Sequence, residues 1–139
     1  MTVEKQTYKI LESQTDRASE IEFWDNGIVY IKLKDNIQVE IEDSRKQFLF
    51  LKSKFDGTNK HIILVESGLD TSISKEAREF GSKKESNAMT LATAVIVKSL
   101  AHRILINFII KIIHQQTMKM KMFDDKEKAI EWLLSFKKS

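Results

Sequence analysis

The sequence predicts an α/β protein: a single mixed sheet, made of an N-terminal hairpin and parallel strands, with helices packed on it. Three stretches support that reading. Residues 88–113, AMTLATAVIVKSLAHRILINFIIKII, hold the densest apolar run of the chain; the Thr-, Val- and Ile-rich residues 89–97 make a strand, and Lys98 begins a helix without a break. HIILVE, residues 61–66, is the continuous apolar run of a strand buried on both faces. EIEFWDNGIVYIKLK, from Glu20 to Lys34, sets Asn26-Gly27 between two strand-like runs, the strongest short signal for a tight hairpin.

At 139 residues the chain fits one domain, expected over residues 20–139, with residues 1–19 as an N-terminal arm or peripheral strand. Hydrophobic residues make up 42% and charged residues 31%, which excludes the disordered and fibrous classes. The absence of cysteine excludes a disulfide framework, a thiolate nucleophile and a cysteine metal site. Residues 1–17 hold no apolar leader, and Lys98, His102 and Arg103 interrupt the longest apolar run before the roughly 20 residues of a membrane span. The expectation is a cytoplasmic chain with no transmembrane segment. The net charge of +3, from 23 basic and 20 acidic residues, is dispersed along the chain, unlike a nucleic-acid footprint. The pairs Lys83-Lys84 and Lys137-Lys138 read as solvated surface.

Taken in order, Tyr8, Ile10 and Leu11 are the substantial apolar residues of the polar first segment, for which weak order is expected. Residues 21–25 and 28–33 form the hairpin, closed by a type I′ turn at Asn26-Gly27. IQVEI then alternates Ile37, Val39 and Ile41 against Gln38 and Glu40 as a short extended segment. Asp43 or Ser44 caps a helix to Phe55, with Ile41, Phe48, Leu51 and Phe55 on its apolar face and Gly57 beyond its end. After residues 61–66, the loop SGLDTSIS leads to a short helix capped by Ser74 and ending near Gly81.

In the helix of residues 98–114, Ser99, Arg103, Asn107 and Lys111 form a polar row, and Ala101, Ile104, Leu105, Phe108 and Ile112 are expected on the sheet. Ile106, Ile110 and Ile113 widen the apolar arc beyond what one sheet contact needs. They are therefore the candidate interface, for a protein partner or a homodimer. MKMKMF turns Met118, Met120 and Met122 inward and Lys119 and Lys121 outward, as a guarded edge strand does. Asp124 caps a final helix that packs Ala129, Ile130, Leu133 and Leu134, with Trp132 over the sheet edge.

The resulting order, ββαβαβαβα, is similar to that of the STAS family, the domains of anti-sigma-factor antagonists and sulfate-transporter tails. The back half, KSLAHRILINFIIK followed by MKMKMFDDKEKAIEWL, resembles small bacterial STAS-like proteins of unknown function in Ser99, Leu100, Ala101, Asn107, Phe123, Ala129, Trp132 and Leu133. The resemblance implies a regulatory module whose antagonist members carry a phosphorylatable serine between the third strand and second helix. Here that window is ESGLDTSIS, which lacks the Asp-Ser-Ser-Gly-like motif, so Ser67, Ser72 and Ser74 are the candidate regulatory-loop hydroxyls.

Dedicated chemistry is hard to find in the residues. His61, His102 and His114 show no metal-ligand spacing, Ser67-Gly68 lacks the flanking glycines of a nucleophile elbow, and Gly27, Gly57, Gly68 and Gly81 form no phosphate-cradling cluster. Asp35, Asp43, Asp70, Asp124 and Asp125 stand where turns or helix starts use a carboxylate. Arg78 and Arg103 offer charge to an anion or to a partner carboxylate. The reading is a non-catalytic STAS-like protein-interaction or regulatory module needing no cofactor; the alternative is a binder of a small apolar (lipid-like) or anionic ligand, and a small hydrolase is the third class.

Overall fold

The computed structural model describes residues 7–114 and 116–137; the first six residues of the expected arm and Lys138 of the basic tail pair lie outside them. In chain order the elements are strands β1 (Ile10–Thr15), β2 (Ser19–Trp24), β3 (Ile28–Leu33) and β4 (Gln38–Val39), helix α1 (Ile41–Ser53), strands β5 (His61–Glu66) and β6 (Ser72–Ile73), and helix α2 (Lys75–Ser82). A 3-10 turn, Glu85–Asn87, leads to β7 (Thr90–Ile96), α3 (Leu100–Ile113), β8 (Lys119–Phe123) and α4 (Lys126–Ser135).

The main sheet has the order β1-β2-β3-β5-β7-β8. Its first three strands are an antiparallel meander, and β3, β5, β7 and β8 run parallel, so this is the mixed sheet the sequence predicts. β4 and β6 form a separate two-stranded parallel ladder beside it. Helices follow β4, β6, β7 and β8, because parallel neighbours need a crossover whereas the meander is joined by tight loops.

Strand alternation assigns the two faces. On β7, Ala92, Ala94 and Ile96 point to α4, while Val95, and Val97 just past the strand end, point to α3. Ala92 and Ala94 are wholly buried, and their short side chains let Ala129, Ile130 and Leu133 of α4, all fully buried too, settle directly on the strand. Trp24, Ile28, Ile62 and Leu64 complete that layer. The opposite face carries α1, α2 and α3 over Ile21, Val29, Ile31, Leu33 and Ile63, with Met120 and Met122 of β8 extending it under α3. Lys119 and Lys121 alternate outward, as the edge-strand pattern predicts.

Four local expectations are corrected. The hairpin loop spans three residues, Asp25, Asn26 and Gly27, because Phe23 pairs with Val29; Gly27 has φ 93° and donates its N–H to Trp24 O at 3.0 Å, while Asn26 is not in the left-handed region a type I′ turn requires. α1 starts earlier than expected, with Glu40 as its N-cap and Asp43 in its first turn, accepting a bond from the Glu40 N–H at 2.8 Å. The cap of α4 is Asp125 rather than Asp124, accepting from the backbone of Glu127 and Lys128. α3 is turned over: Ala101, Ile104 and Phe108 are exposed, and Ile106 and Ile113, two members of the candidate interface, are buried at 8% and 1% exposure. Ile110 is half-buried against the same core.

The reason for the last correction is that α3 has two apolar arcs on opposite sides. One is Leu100, Ile104 and Phe108; the other is His102, Ile106, Ile109 and Ile113. The sheet takes the second, where β-branched isoleucines meet Val95 and Val97. Ile106→Ala should therefore cost about 2–4 kcal/mol, whereas Phe108→Ala should change stability by no more than about 0.5 kcal/mol. Urea unfolding of both variants checks the seating, and equal losses would contradict it.

Asp43 also joins α1 to the meander. Arg17, in the β1–β2 turn, donates to both carboxylate oxygens at 3.1 and 2.5 Å, and to Gln38 O at 2.7 Å. The Arg17 bond, opposed by burial, holds the Asp43 carboxyl below its ordinary value. A depressed carboxyl adds stability above its unfolded pKa and loses it as pH falls through the folded one. Arg17→Met should thus melt below the parent at neutral pH, and the gap should close as pH drops below about 4, the ordinary carboxylate range. Thermal melts across that range supply the check.

Candidate functional site

The most apolar of the hollows lies on the three-helix side. A cavity of about 210 Å³ opens between the sheet and α1, α2 and α3, walled by Ile31, Leu33, Val65, Val95, Ile106 and Ala77. Polar groups reach it from each side: Ser44 and Gln47 from α1, Arg78 and Ser82 from α2, His102 from α3, Ser67 and Thr71 from the loop and Thr93 from the sheet. A neighbouring hollow of about 220 Å³ shares Gln47, Val65, Thr93 and Ile109 with it and runs on toward Ile113 and Met118. Concave, mostly apolar, with convergent polar groups, the site has the make-up of a small-molecule pocket.

The loop between β5 and β6 forms one rim, and a glycine makes it possible. A Cβ on Gly68 would stand 2.6 Å from Asp35 Oδ1 and 2.7 Å from the carbonyl oxygens of Leu33 and Lys34. With that close approach, Leu69 N–H donates to Asp35 Oδ1 at 2.7 Å, Asn36 N–H to Leu69 O at 2.7 Å, and Thr71 Oγ1 to Lys34 O at 2.7 Å. Asn36 and Asp70 take positive φ values of 52° and 54°, which short polar side chains tolerate. The loop then meets α3, where His102 Nε2 lies 2.5 Å from Thr71 O. A carbonyl only accepts, so Nε2 carries the hydrogen. His61 is used in the same way, donating from Nε2 to Leu51 O at 3.0 Å, while His114 is exposed at the end of α3.

The three loop serines have different surroundings. Ser67 is half-buried and donates to Ile96 O at 3.5 Å, Ser72 is exposed on β6, and Ser74 is buried as the N-cap of α2, accepting from Ala77 N–H at 3.1 Å. Ser74 is thus committed to capping, as the sequence predicts. Ser67 lines the cavity and Ser72 does not. Arg78 lines it too and donates from Nη1 to Ile73 O at 3.0 Å, whereas Arg103 does not reach it. Gln47 and Thr93 escape sequence reasoning, although a threonine in the middle of an otherwise apolar buried strand is a signal of a polar point in the core.

On the α4 side the polar groups are occupied with one another. Tyr30 OH donates to Glu66 Oε1 at 3.0 Å, and Lys126 Nζ lies 4.6 Å from the Tyr30 ring centre and 5.7 Å from that of Trp24. Burial, then the Glu66 charge, raises the Tyr30 pKa strongly, which keeps the phenol protonated as a donor. Among the described residues no three His, Asp or Glu side chains gather as metal ligands.

Gly68→Ala should lower stability by about 1–3 kcal/mol, since two backbone carbonyls, besides the Asp35 carboxylate, meet the added methyl and cannot swing away. Urea unfolding measures it, and a neutral result would show that the loop has room to move.

Comparison with known proteins agrees with this architecture. The family model described as a domain of unknown function, DUF7793, matches residues 22–137. No curated protein matches the chain. Among solved structures, an uncharacterized protein of the DUF3478 family from Shewanella loihica PV-4, with a SpoIIAA-like fold, is similar with a TM-score of 0.56 and 16% identity, covering 95% of this chain and 99% of that one. At that identity the likeness shows the fold alone, and it is the STAS-like fold expected from the sequence. No helix among the described residues is long and apolar enough to cross a membrane.

Proposed function

Because the chain belongs to the DUF7793 family, a domain of unknown function, and folds like SpoIIAA, we propose that it is a non-catalytic binding module whose ligand is a small apolar molecule. One observation carries the reading: the cavity beneath α2 and α3 is walled mostly by aliphatic side chains, with polar groups reaching it from each side. Its size selects the ligand. At about 210 Å³ it exceeds the roughly 150 Å³ that stays dry and takes up benzene, and falls short of the roughly 300 Å³ at which pockets for larger ligands begin. A short aliphatic or single-ring compound fits, with any anionic or hydroxyl end directed to Arg78, Thr71 or His102.

The test is thermal melting of the full chain with octanol, octanoate and toluene, together with native mass spectrometry of freshly purified protein. Saturation at a hundredfold excess over Kd adds about 2.7 kcal/mol of stability, so the melting point should rise by several degrees. Val65→Phe, which fills the cavity, should stay folded and abolish the shift. No shift with any probe, and no retained small mass, would refute the reading.

A second reading, a contact module regulated at the β5–α2 loop, is favoured by the exposed side chain of Ser72, two residues before the α2 cap. It requires phosphate at Ser72 in protein isolated from cells and its loss in Ser72→Ala. Unmodified protein would count against it.

A further inference from the structure

The outer face of α3 points away from the cavity. Leu100, Ile104 and Phe108 stand one turn apart along one row and are 73%, 64% and 64% exposed, unusual values for side chains of this size. Leu69, in the loop whose Thr71 is bound to His102 on the opposite arc, is another exposed large apolar side chain, at 72%. The sheet does not need these residues: the inner arc of α3 already fills the space over Val95 and Val97.

The charge on α3 itself is of one sign, with Glu79 of α2 across a hollow from Phe108 and Asp70 beside Leu69 as the nearby acids. From Ser86 to Phe123 the chain has no Asp or Glu, but holds Lys98, Arg103, Lys111, Lys119 and Lys121, while the rest of the sequence has 18 basic against 20 acidic residues. Ion pairs among the described residues involve none of these five cations. Lys111 continues the exposed row one turn past Phe108, and its stem can lie along an apolar surface with the ammonium held out. A second copy of the chain docking through this row would set Lys98, Arg103 and Lys111 against their own equivalents with no carboxylate from either helix to answer them.

We propose that the outer face of α3 docks the protein on an anionic lipid surface. The helix lies in the plane of the interface, Leu100, Ile104 and Phe108 enter the boundary between headgroups and acyl chains, and Lys98, Arg103 and Lys111 meet lipid phosphates. This is peripheral attachment, with the sheet left outside the membrane. It does not depend on the cavity being filled.

The experiment is co-sedimentation of the full chain with vesicles of phosphatidylcholine alone and of phosphatidylcholine mixed with phosphatidylglycerol. The protein should pellet with the mixed vesicles, much less with the neutral ones, and should be released by salt. The double variant I104S/F108S should partition at least about tenfold more weakly, and K98Q/K111Q roughly fivefold more weakly for each cation removed. Circular dichroism confirms that both stay folded, as the exposure of all four side chains leads us to expect; if one unfolds, the other decides. Absence of pelleting with mixed vesicles, or equal pelleting by parent and variants, overturns the proposal. So do dimers in solution that I104S/F108S dissolves without any vesicle binding, which would give the face to a second copy.

Discussion

The close approach of Gly68 to the carbonyl oxygens of Leu33 and Lys34 is the constraint from which the ligand side of this molecule is built. Without a side chain at that point, the β5–β6 loop presses against the β3–β4 turn, and Asp35, Asn36 and Lys34 fasten it. The loop in turn presents the Thr71 carbonyl to His102, which turns the inner arc of α3 toward the sheet. The cavity and the exposed row are then two results of one rotation. Turning the helix over would bury Leu100, Ile104 and Phe108 and expose Ile106 and Ile113.

A comparable node holds the other half of the three-helix layer. Asp43 closes the N-terminus of α1 and receives Arg17 from the meander, while Arg17 also binds β4 through Gln38 O. The two-stranded β4–β6 ladder lies between these nodes. It is short, yet it links the start of α1 to the start of α2, so the entrances of both helices are set by one small piece of backbone. Helix ends fixed in this way favour a pocket that is formed before a ligand arrives.

Much of this was legible in the sequence where one physical signal dominated. HIILVE could only be an inner strand, Ser74 had the right spacing to an apolar turn for a cap, and the Met and Lys alternation of residues 118–122 could be satisfied only at a sheet edge. Two signals competed in α3, where Leu100, Ile104 and Phe108 are as apolar as Ile106, Ile109 and Ile113, and periodicity does not say which arc meets the sheet. The surplus of apolar surface was readable, and its side was not. The start of α1 was misread because its cap is the unusual Glu40, with Asp43 answering from the first turn, in place of a small hydroxyl or Asp at the boundary. The cavity was illegible for a different reason: it is a gap among residues distant in the chain, and of its polar contacts only Thr93 interrupts a pattern.

The distribution of aromatic side chains has an optical consequence. The chain has two tryptophans, and both belong to the layer under α4: Trp24 is stacked on Tyr8 with ring centres 3.6 Å apart, and Trp132 lies between Phe123 and Phe136. The sheet separates them from the cavity and from α3. Intrinsic tryptophan emission therefore reports the integrity of one layer and is nearly blind to events in the other. A molecule entering the pocket, or a surface meeting α3, would leave that emission almost unchanged while the protein is fully engaged, so a silent fluorescence titration says nothing about occupancy on the far side of the sheet.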